Sequence, residues 1–504
     1  MFSSSDEESR QSDSVAARAE GIVDVAPSPK RTTRRSHQAG RDPTSPSQQD
    51  AAAAWPGTLK HILEKIGVMP PGVEQARPLR IVDACCGLGS WQRMWRDTGV
   101  QCEVDAAAEP KPHAKKFLTR NDLTAKHHFD CISSLVDGGE AMCAIHGKVC
   151  DVPEERADMF AAGFACQPTS SMRACRKRVR PEEHESFAVA RLVVAYVLRR
   201  KPRTALLEQT IGALSGDVYD NVAQSEVEWI RSQVECEYYF DWAKLDLKPW
   251  VKMRRPRVWM FLVSRQVSET NTATTAAQLA LRIEAERRLH PPRSLRDFTY
   301  SPGHPLWDRV LLGCMCVPVR KHSSKGAWRS ACEAMREQWR SREHPWADDH
   351  PLGDAQVRGC ARTERVVEVL EVSLLRACEE EGLDPRRDDD LKHAMREVWC
   401  DASQNYGYVA CEFGYASCAC TSSRIYDYLQ DRVLLPEELL RVMGWAGAEI
   451  EDIADSDLQN LVGECQALQP LAVASWALLR SVDGGLTGLW RPSGTGERDD
   501  RSRE

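Results

Sequence analysis

The sequence predicts an α/β fold: a largely parallel sheet with helices on both faces. Two observations predict it. Short apolar runs between residues 78 and 265 alternate with segments of helical spacing. In addition, successive runs end on a polar or reactive residue, namely Asp83, Glu109, Asp130, Cys166 and Glu208. In open α/β sheets the carboxyl ends of the strands face the ligand crevice, so such residues are placed for chemistry.

The chain has 504 residues, enough for two or three domains. Hydrophobic residues make up 42% and charged residues 28%, the balance of a globular protein. A net charge of -7 argues against a wholly basic nucleic-acid coat but leaves room for a local basic cleft. The N-terminus is polar and acidic, without an apolar signal core, so the 19 cysteines read as reduced, intracellular thiols. No apolar run reaches membrane-spanning length, and no membrane partner is expected.

Residues 1–54 and 484–504 are poor in large apolar residues and are expected to be disordered tails. The first tail carries Lys30-Arg31-Thr-Thr-Arg34-Arg35, a nuclear import signal, a nucleic-acid tether or simply a solvated basic stretch. Order is expected from Trp55, where Leu59, Ile62, Leu63 and Ile66 have helical spacing. Next, Pro78-Leu-Arg-Ile-Val-Asp83-Ala-Cys85-Cys-Gly87-Leu88-Gly89-Ser-Trp91 reads as a strand, an acid, a Gly-x-Gly turn and a helix. Glycines there let a ligand approach the backbone, although a tight turn without a ligand would use them too. Glu109 closes the following strand about 20 residues later, where an acid can accept both hydroxyls of a ribose. Asp130, after His128-Phe, is placed to accept from an adenine amino group.

The fourth run, Met159 to Ala162, leads through Gly163-Phe-Ala165 to Cys166-Gln167-Pro168-Thr-Ser-Ser171. A lone cysteine at a strand end is ordinarily a small buried hydrophobe. Thr204-Ala-Leu-Leu-Glu208 gives a fifth strand. The segments from Tyr238 and from Arg257 give two more, joined by the basic turn Lys252-Met253-Arg-Arg255-Pro-Arg257. Residues 266–425 lose the rhythm, apart from helical patches such as 365–378. Cys314-Met-Cys316, Cys411 and Cys418-Ala-Cys420 could hold zinc. Their Cys-x-Cys spacing puts ordinary thiols first, so no metal ligand is assigned. Order returns at Arg432, and a final helix is expected over about 458–480.

Six of these segments, in this order, resemble the motifs of the cytosine-5 DNA methyltransferase family. Asp83-Ala-Cys-Cys-Gly87-Leu-Gly89 is similar to its S-adenosylmethionine loop and Gly163-Phe-Ala-Cys166-Gln167-Pro168 to its catalytic Pro-Cys-Gln loop. Leu207-Glu208-Gln-Thr resembles Glu-Asn-Val, and Met253-Arg-Arg255-Pro-Arg257 resembles Gln-x-Arg-x-Arg. Leu434-Leu-Pro-Glu-Glu-Leu-Leu-Arg441-Val-Met-Gly444 and Leu461-Val-Gly463-Glu464-Cys-Gln resemble the last two motifs. The resemblance covers roughly residues 78–480. Ala165, Met253, Cys85, Glu464 and the Gln-Thr after Glu208 depart from the family's residues.

The resemblance implies a Rossmann-like, S-adenosylmethionine-dependent methyltransferase sheet with a smaller, irregular target recognition domain. The catalytic domain would span 55–265 and 426–483, with the recognition segment at 266–425. Cys166, Glu208, Arg255 and Arg257 would be catalytic. Asp83, Cys85, Gly87, Leu88, Gly89, Glu109, Asp130, Gln167 and Glu464 would line the S-adenosylmethionine site. The implied activity is methylation of cytosine carbon 5 in DNA, through a covalent cysteine adduct with a flipped base, in the nucleus. Two alternatives stay open. One branch of the family acts on transfer RNA, and the substitutions are compatible with a catalytically weak protein that binds nucleic acid.

Overall fold

The computed structural model describes residues 53–68, 73–164, 166, 186–219, 222–301, 304, 306–307, 325–340, 357, 363–404, 412–482 and 489–492. All of them lie in one compact unit, Thr44–Glu504. The basic cluster at 30–35, Ala165, Gln167 to Ser171, Cys314, Cys316 and Cys411 lie outside the described residues.

Along the chain, α1 (Trp55–Lys65) buries Leu59, Ile62 and Leu63, and β1 (Val73–Gln75) precedes β2 (Leu79–Ala84). Then come α2 (Ser90–Asp97), β3 (Cys102–Ala108), α3 (Pro112–Arg120), β4 (His127–Phe129) and α4 (Ile132–Asp137). A hairpin of β5 (Glu140–Cys143) and β6 (Lys148–Asp151) leads to β7 (Met159–Gly163). After it follow α5 (Phe187–Arg200), β8 (Thr204–Thr210), the small hairpin β9 (Asp217–Tyr219) and β10 (Val222–Gln224), and α6 (Glu226–Val234). The helix α6 opens with a capping box between Ser225 and Glu228. β11 (Tyr238–Leu245) and β12 (Arg257–Ser264) complete the main sheet.

That sheet has nine strands in the order β11-β12-β8-β7-β2-β3-β4-β5-β6. The run β8-β7-β2-β3-β4 is parallel, and β12 is antiparallel between β8 and β11. The central strands are buried on both faces, which is why they read as unbroken apolar runs. Strand order reverses between β2 and β7, so the loops after Ala84 and Gly163 open onto one crevice. The predicted α/β sheet, Rossmann-like with helices on both faces, is the one observed. One face packs on α4, α5 and α6, and the other on α2, α3 and the helices that follow β12.

Three expectations are corrected. The segment 266–425 does not start irregular: α7 (Thr272–Arg288) packs on β11 and β12 as part of the sheet's cover. Its buried face is Ala273, Ala276, Ala277, Ala280 and Ile283, and small alanines make a weak periodic signal. Beyond it, α8 (Lys325–Arg340), α9 (Glu364–Glu380), α10 (Asp388–Glu397), β13 (Trp399–Asp401), β14 (Ile425–Asp427) and β15 (Arg432–Val433) share a separate small core.

The final helix is also not single. α11 (Pro436–Val442) is followed by α12 (Asp455–Glu464) and α13 (Leu468–Ser481), with a break at 465–467. Pro470 has no N–H to offer, so it fits only in the first turn of a helix that restarts. Finally, within the segment 484–504, expected to be disordered, β16 (Trp490–Pro492) pairs antiparallel with β1.

Aromatic contacts seal the C-terminal helices onto the N-terminal half. Trp95 meets Trp476 edge-on with ring centroids 6.2 Å apart, and Phe117 meets Trp445 at 5.4 Å. Each such pair adds about 0.5–1.5 kcal/mol beyond the area it buries.

Candidate active site

Residues from β7, β8 and β12 meet at one end of the sheet. Gly163 on β7 is in register with Glu208 on β8, and β12 runs beside β8. Cys166 lies three residues past Gly163. The Arg257 Nε donates to the Glu208 carboxylate at 2.9 Å, and both side chains are largely buried. Cys166 is near enough that Arg257, Glu208 and Arg255 all act on its thiol. Burial raises the thiol's pKa. Arg257 and Arg255 pull it down, and Glu208 pushes it up again, leaving it above the ordinary cysteine value.

Arg257 is ringed by groups that can carry negative charge. Burial disfavours its charge, but Cys418, Glu208 and Cys166 outweigh that and raise its pKa. Its two terminal nitrogens both lie 4.0 Å from the Cys418 sulfur. The Cys418 thiol is held well below the ordinary value, first by a hydrogen bond involving Cys420, then by Arg257 and Arg255. Cys418 and Cys420 are thus bound up with arginines and with each other. They belong to no metal-ligating group among the described residues.

Arg255 has a different place from the one expected. Its guanidinium donates to the carbonyls of Ala419 at 2.7 Å, Gly463 at 3.0 Å, and Cys465. Its backbone N–H donates to Asp246 at 2.7 Å. It is 2% exposed. A guanidinium spent on three carbonyls ties the 418–420 loop to the break between α12 and α13. It does so close enough to Cys166 to act on that thiol. The basic turn itself is not a solvated hairpin. Lys248 pairs with Glu412 at 2.6 Å and Lys252 with Glu397 at 2.9 Å, joining it to the small helical unit.

On the neighbouring strands, Asp83 is fully buried and neither carboxylate oxygen has a hydrogen-bond partner among the described residues. Desolvation, reinforced by Glu109, holds its pKa well above the usual range. Glu109 accepts from the Gly87 N–H at 3.0 Å and the Lys111 N–H at 3.1 Å, which fix its carboxylate toward the turn. Cys85 is half-buried with φ of 56°, and its thiol is pushed up to about 12, by burial first and then by Glu109 and Asp83. Gly89 has φ of 74°, and a Cβ there would sit 2.6 Å from Leu118 Cδ2. Any other residue would be strained by that φ and would have to push the Leu118 side chain aside. Leu88 is buried in the core on one face of the sheet.

The remaining expected residues are more peripheral. Asp130 is exposed and ion-paired with Lys115. Glu464 is ion-paired with Lys111, the residue whose backbone fixes Glu109. One neighbour of the site was not singled out from the sequence. The Gln466 amide reaches the space over Gly163 that Glu208 also borders. Its position in the last motif, two residues after Glu464, was the available signal.

No family model matches the chain, and no curated protein matches it. Among solved structures, the chain is similar to the Dnmt2 methyltransferase of S. pombe. The TM-score is 0.42 at 13% identity, covering 80% of this chain and 99% of that one. It is also similar to a candidate DNA modification methyltransferase encoded within an E. coli prophage. There the TM-score is 0.45 at 12% identity, covering 81% of this chain and 99% of the other.

Proposed function

We propose that the protein is an S-adenosylmethionine-dependent methyltransferase that acts on carbon 5 of cytosine in DNA. One observation carries this reading. A strand-end thiol, Cys166, shares a buried corner with a carboxylate, Glu208, that is braced by Arg257. Carbon 5 of cytosine is a poor nucleophile. Addition of the Cys166 sulfur to carbon 6 breaks aromaticity and moves the ring's electron pair toward carbon 5. Glu208 holds the ring nitrogen and the exocyclic amine, and a proton at that nitrogen accepts the charge that the thiolate pushes into the ring. Arg257 keeps Glu208 oriented and, as a fixed positive charge, favours the thiolate over the thiol. Once carbon 5 carries the methyl group, a base takes its proton, the electron pair of that bond re-forms the double bond and the Cys166 sulfur leaves as thiolate.

The cofactor would be held by the turn from Gly87 to Gly89, by Asp83 and by Glu109, and would supply an electrophilic methyl group. These residues fit such a group: Asp83 has two buried oxygens without partners, and Glu109 is pinned with acceptor capacity to spare. Asp130 and Glu464 are engaged instead with Lys115 and Lys111. A base stacked inside a duplex cannot reach a thiol at the end of this sheet, so the target is flipped out or single-stranded. The small unit around α8 to α10 is the segment we assign to reading the nucleic acid.

Covalent trapping tests this. With S-adenosylmethionine and a 5-fluorocytosine DNA duplex, the wild type should form a denaturation-stable adduct and Cys166→Ser none. Absence of an adduct on both DNA and RNA oligonucleotides would overturn the reading, and an adduct on RNA alone would move the substrate to RNA.

A further inference from the structure

The far edge of the main sheet carries four side chains that neither the fold nor the proposed reaction requires. His127 lies on β4, Cys143 ends β5, His146 sits in the β5–β6 turn and Cys150 is on β6. One ligand-type atom from each lies within 4.8 Å of every other. The His146 Nδ1 is 3.3 Å from the Cys143 sulfur and 3.4 Å from the Cys150 sulfur. Tetrahedral zinc with Zn–S of about 2.3 Å and Zn–N of about 2.0–2.1 Å places sulfur and nitrogen ligands about 3.5 Å apart. The observed spacing therefore fits around one ion with little movement.

We propose that His127, Cys143, His146 and Cys150 form a structural zinc site. Two thiolates and two neutral imidazoles balance a dication, and this donor set selects zinc among common cations. The two thiols give up their protons to solvent as the metal binds. Four protein ligands close the coordination sphere, so the role is structural and not catalytic.

Independent features of this edge point the same way. The His127 Nδ1 is buried with no hydrogen-bond partner among the described residues. The His128 backbone N–H points at the Cys143 sulfur at 3.4 Å, an N–H···S contact that steadies a thiolate. The hairpin itself is weakly held. β5 joins β4 through the single pair Phe129↔Cys143, and Met142, Ile145 and Val149 are exposed instead of forming a core. A hairpin so poor in buried surface needs a staple, and a metal supplies one. The sequence signal is His127 followed by Cys143-x-x-His146-x-x-x-Cys150.

The full-length protein, produced in zinc-supplemented medium and purified without chelator, provides the test. Elemental analysis should give about one zinc per chain, unchanged in Cys236→Ser, an exposed control cysteine. Zinc should fall at least about fivefold in His146→Ala and Cys150→Ser, the loss expected when one of four ligands is removed. A variant that does not fold is replaced by a measurement on the wild type. Chelation should expose Cys143 and Cys150 to alkylation, read by peptide mass mapping, and cobalt(II) should then restore protection with a tetrahedral thiolate spectrum. A folded, zinc-free wild type would overturn the proposal. So would zinc retained in both ligand variants, or a Cys143–Cys150 disulfide in the freshly isolated protein.

Discussion

Asp83 shows how a single buried residue can oppose folding. A carboxylate without partners costs about 1–3 kcal/mol or more. Its folded pKa lies above the unfolded one. Its contribution to stability is therefore full below the unfolded pKa and is lost as pH rises through the folded pKa. Asp83→Asn should melt higher than wild type, and the gap should widen from mildly acidic to alkaline buffer. Thermal melts of ligand-free protein check this, and a constant gap would contradict it. Binding of S-adenosylmethionine should weaken in the same variant. Cys166 gives a second residue-scale prediction. Because Glu208 raises its pKa and Arg257 lowers it, iodoacetamide should label Cys166 several-fold faster in Glu208→Gln and slower in Arg257→Gln at neutral pH. Peptide mapping must separate it from Cys418, whose thiol ionises more readily. Strand ends made Cys166 and Glu208 visible in the sequence, and the resemblance of the basic turn to an arginine motif pointed to Arg257. The sequence could not reveal that the Arg255 guanidinium is held by three carbonyls, since these come from residues 419, 463 and 465, far along the chain.

At the scale of elements, the break between α12 and α13 does more than end a helix. It presents the Gly463 and Cys465 carbonyls to Arg255, and it brings α12 against the 418–420 loop. A Cβ on Gly463 would overlap the backbone of Cys420 and Thr421. Backbone cannot rotate aside as a side chain can. Gly463→Ala should therefore cost about 2 kcal/mol and displace Cys418 from Arg257. Arg255→Lys should cost a similar amount, about 2 kcal/mol, because one ammonium cannot span three carbonyls. Urea unfolding checks both. A cost below about 0.5 kcal/mol, the level of a neutral surface change, would show that the clamp is dispensable. These contacts were illegible beforehand for a plain reason. Periodicity reports which face of a helix is apolar, not which backbone it will touch. The same limit hid α7, whose buried face is mostly alanine, and the β5–β6 hairpin, whose strands are four residues each and largely exposed.

For the whole molecule, a largely parallel sheet with helices on both faces could be read because apolar runs alternate with segments of helical spacing; the strand order could not. What also could not be read is that the chain's last third covers its first. Trp476 and Trp445 seal Trp95 and Phe117, and Trp55 donates to the Gly444 carbonyl at 3.2 Å. Each fully buried large side chain is worth about 1.5–3 kcal/mol, against a total stability of about 5–15 kcal/mol. A chain truncated after Gln430 should be insoluble, and co-expression of residues 431–504 should rescue it. Soluble, folded protein from the truncated chain alone, judged by circular dichroism, would refute this interdependence.

The β1–β16 ladder has a mechanical meaning. Val73 faces Pro492, and Gln75 faces Trp490. The chain enters this ladder at Val73 and leaves it at Pro492, so both exits lie at the same end. A load applied at these two exits would peel the rungs open singly, as a zip opens, instead of shearing all three together. From the C-terminal side a load reaches this ladder before α13, whereas from the N-terminal side it reaches α1 before the ladder; α1 and α13 pack against each other and hold the closure from within.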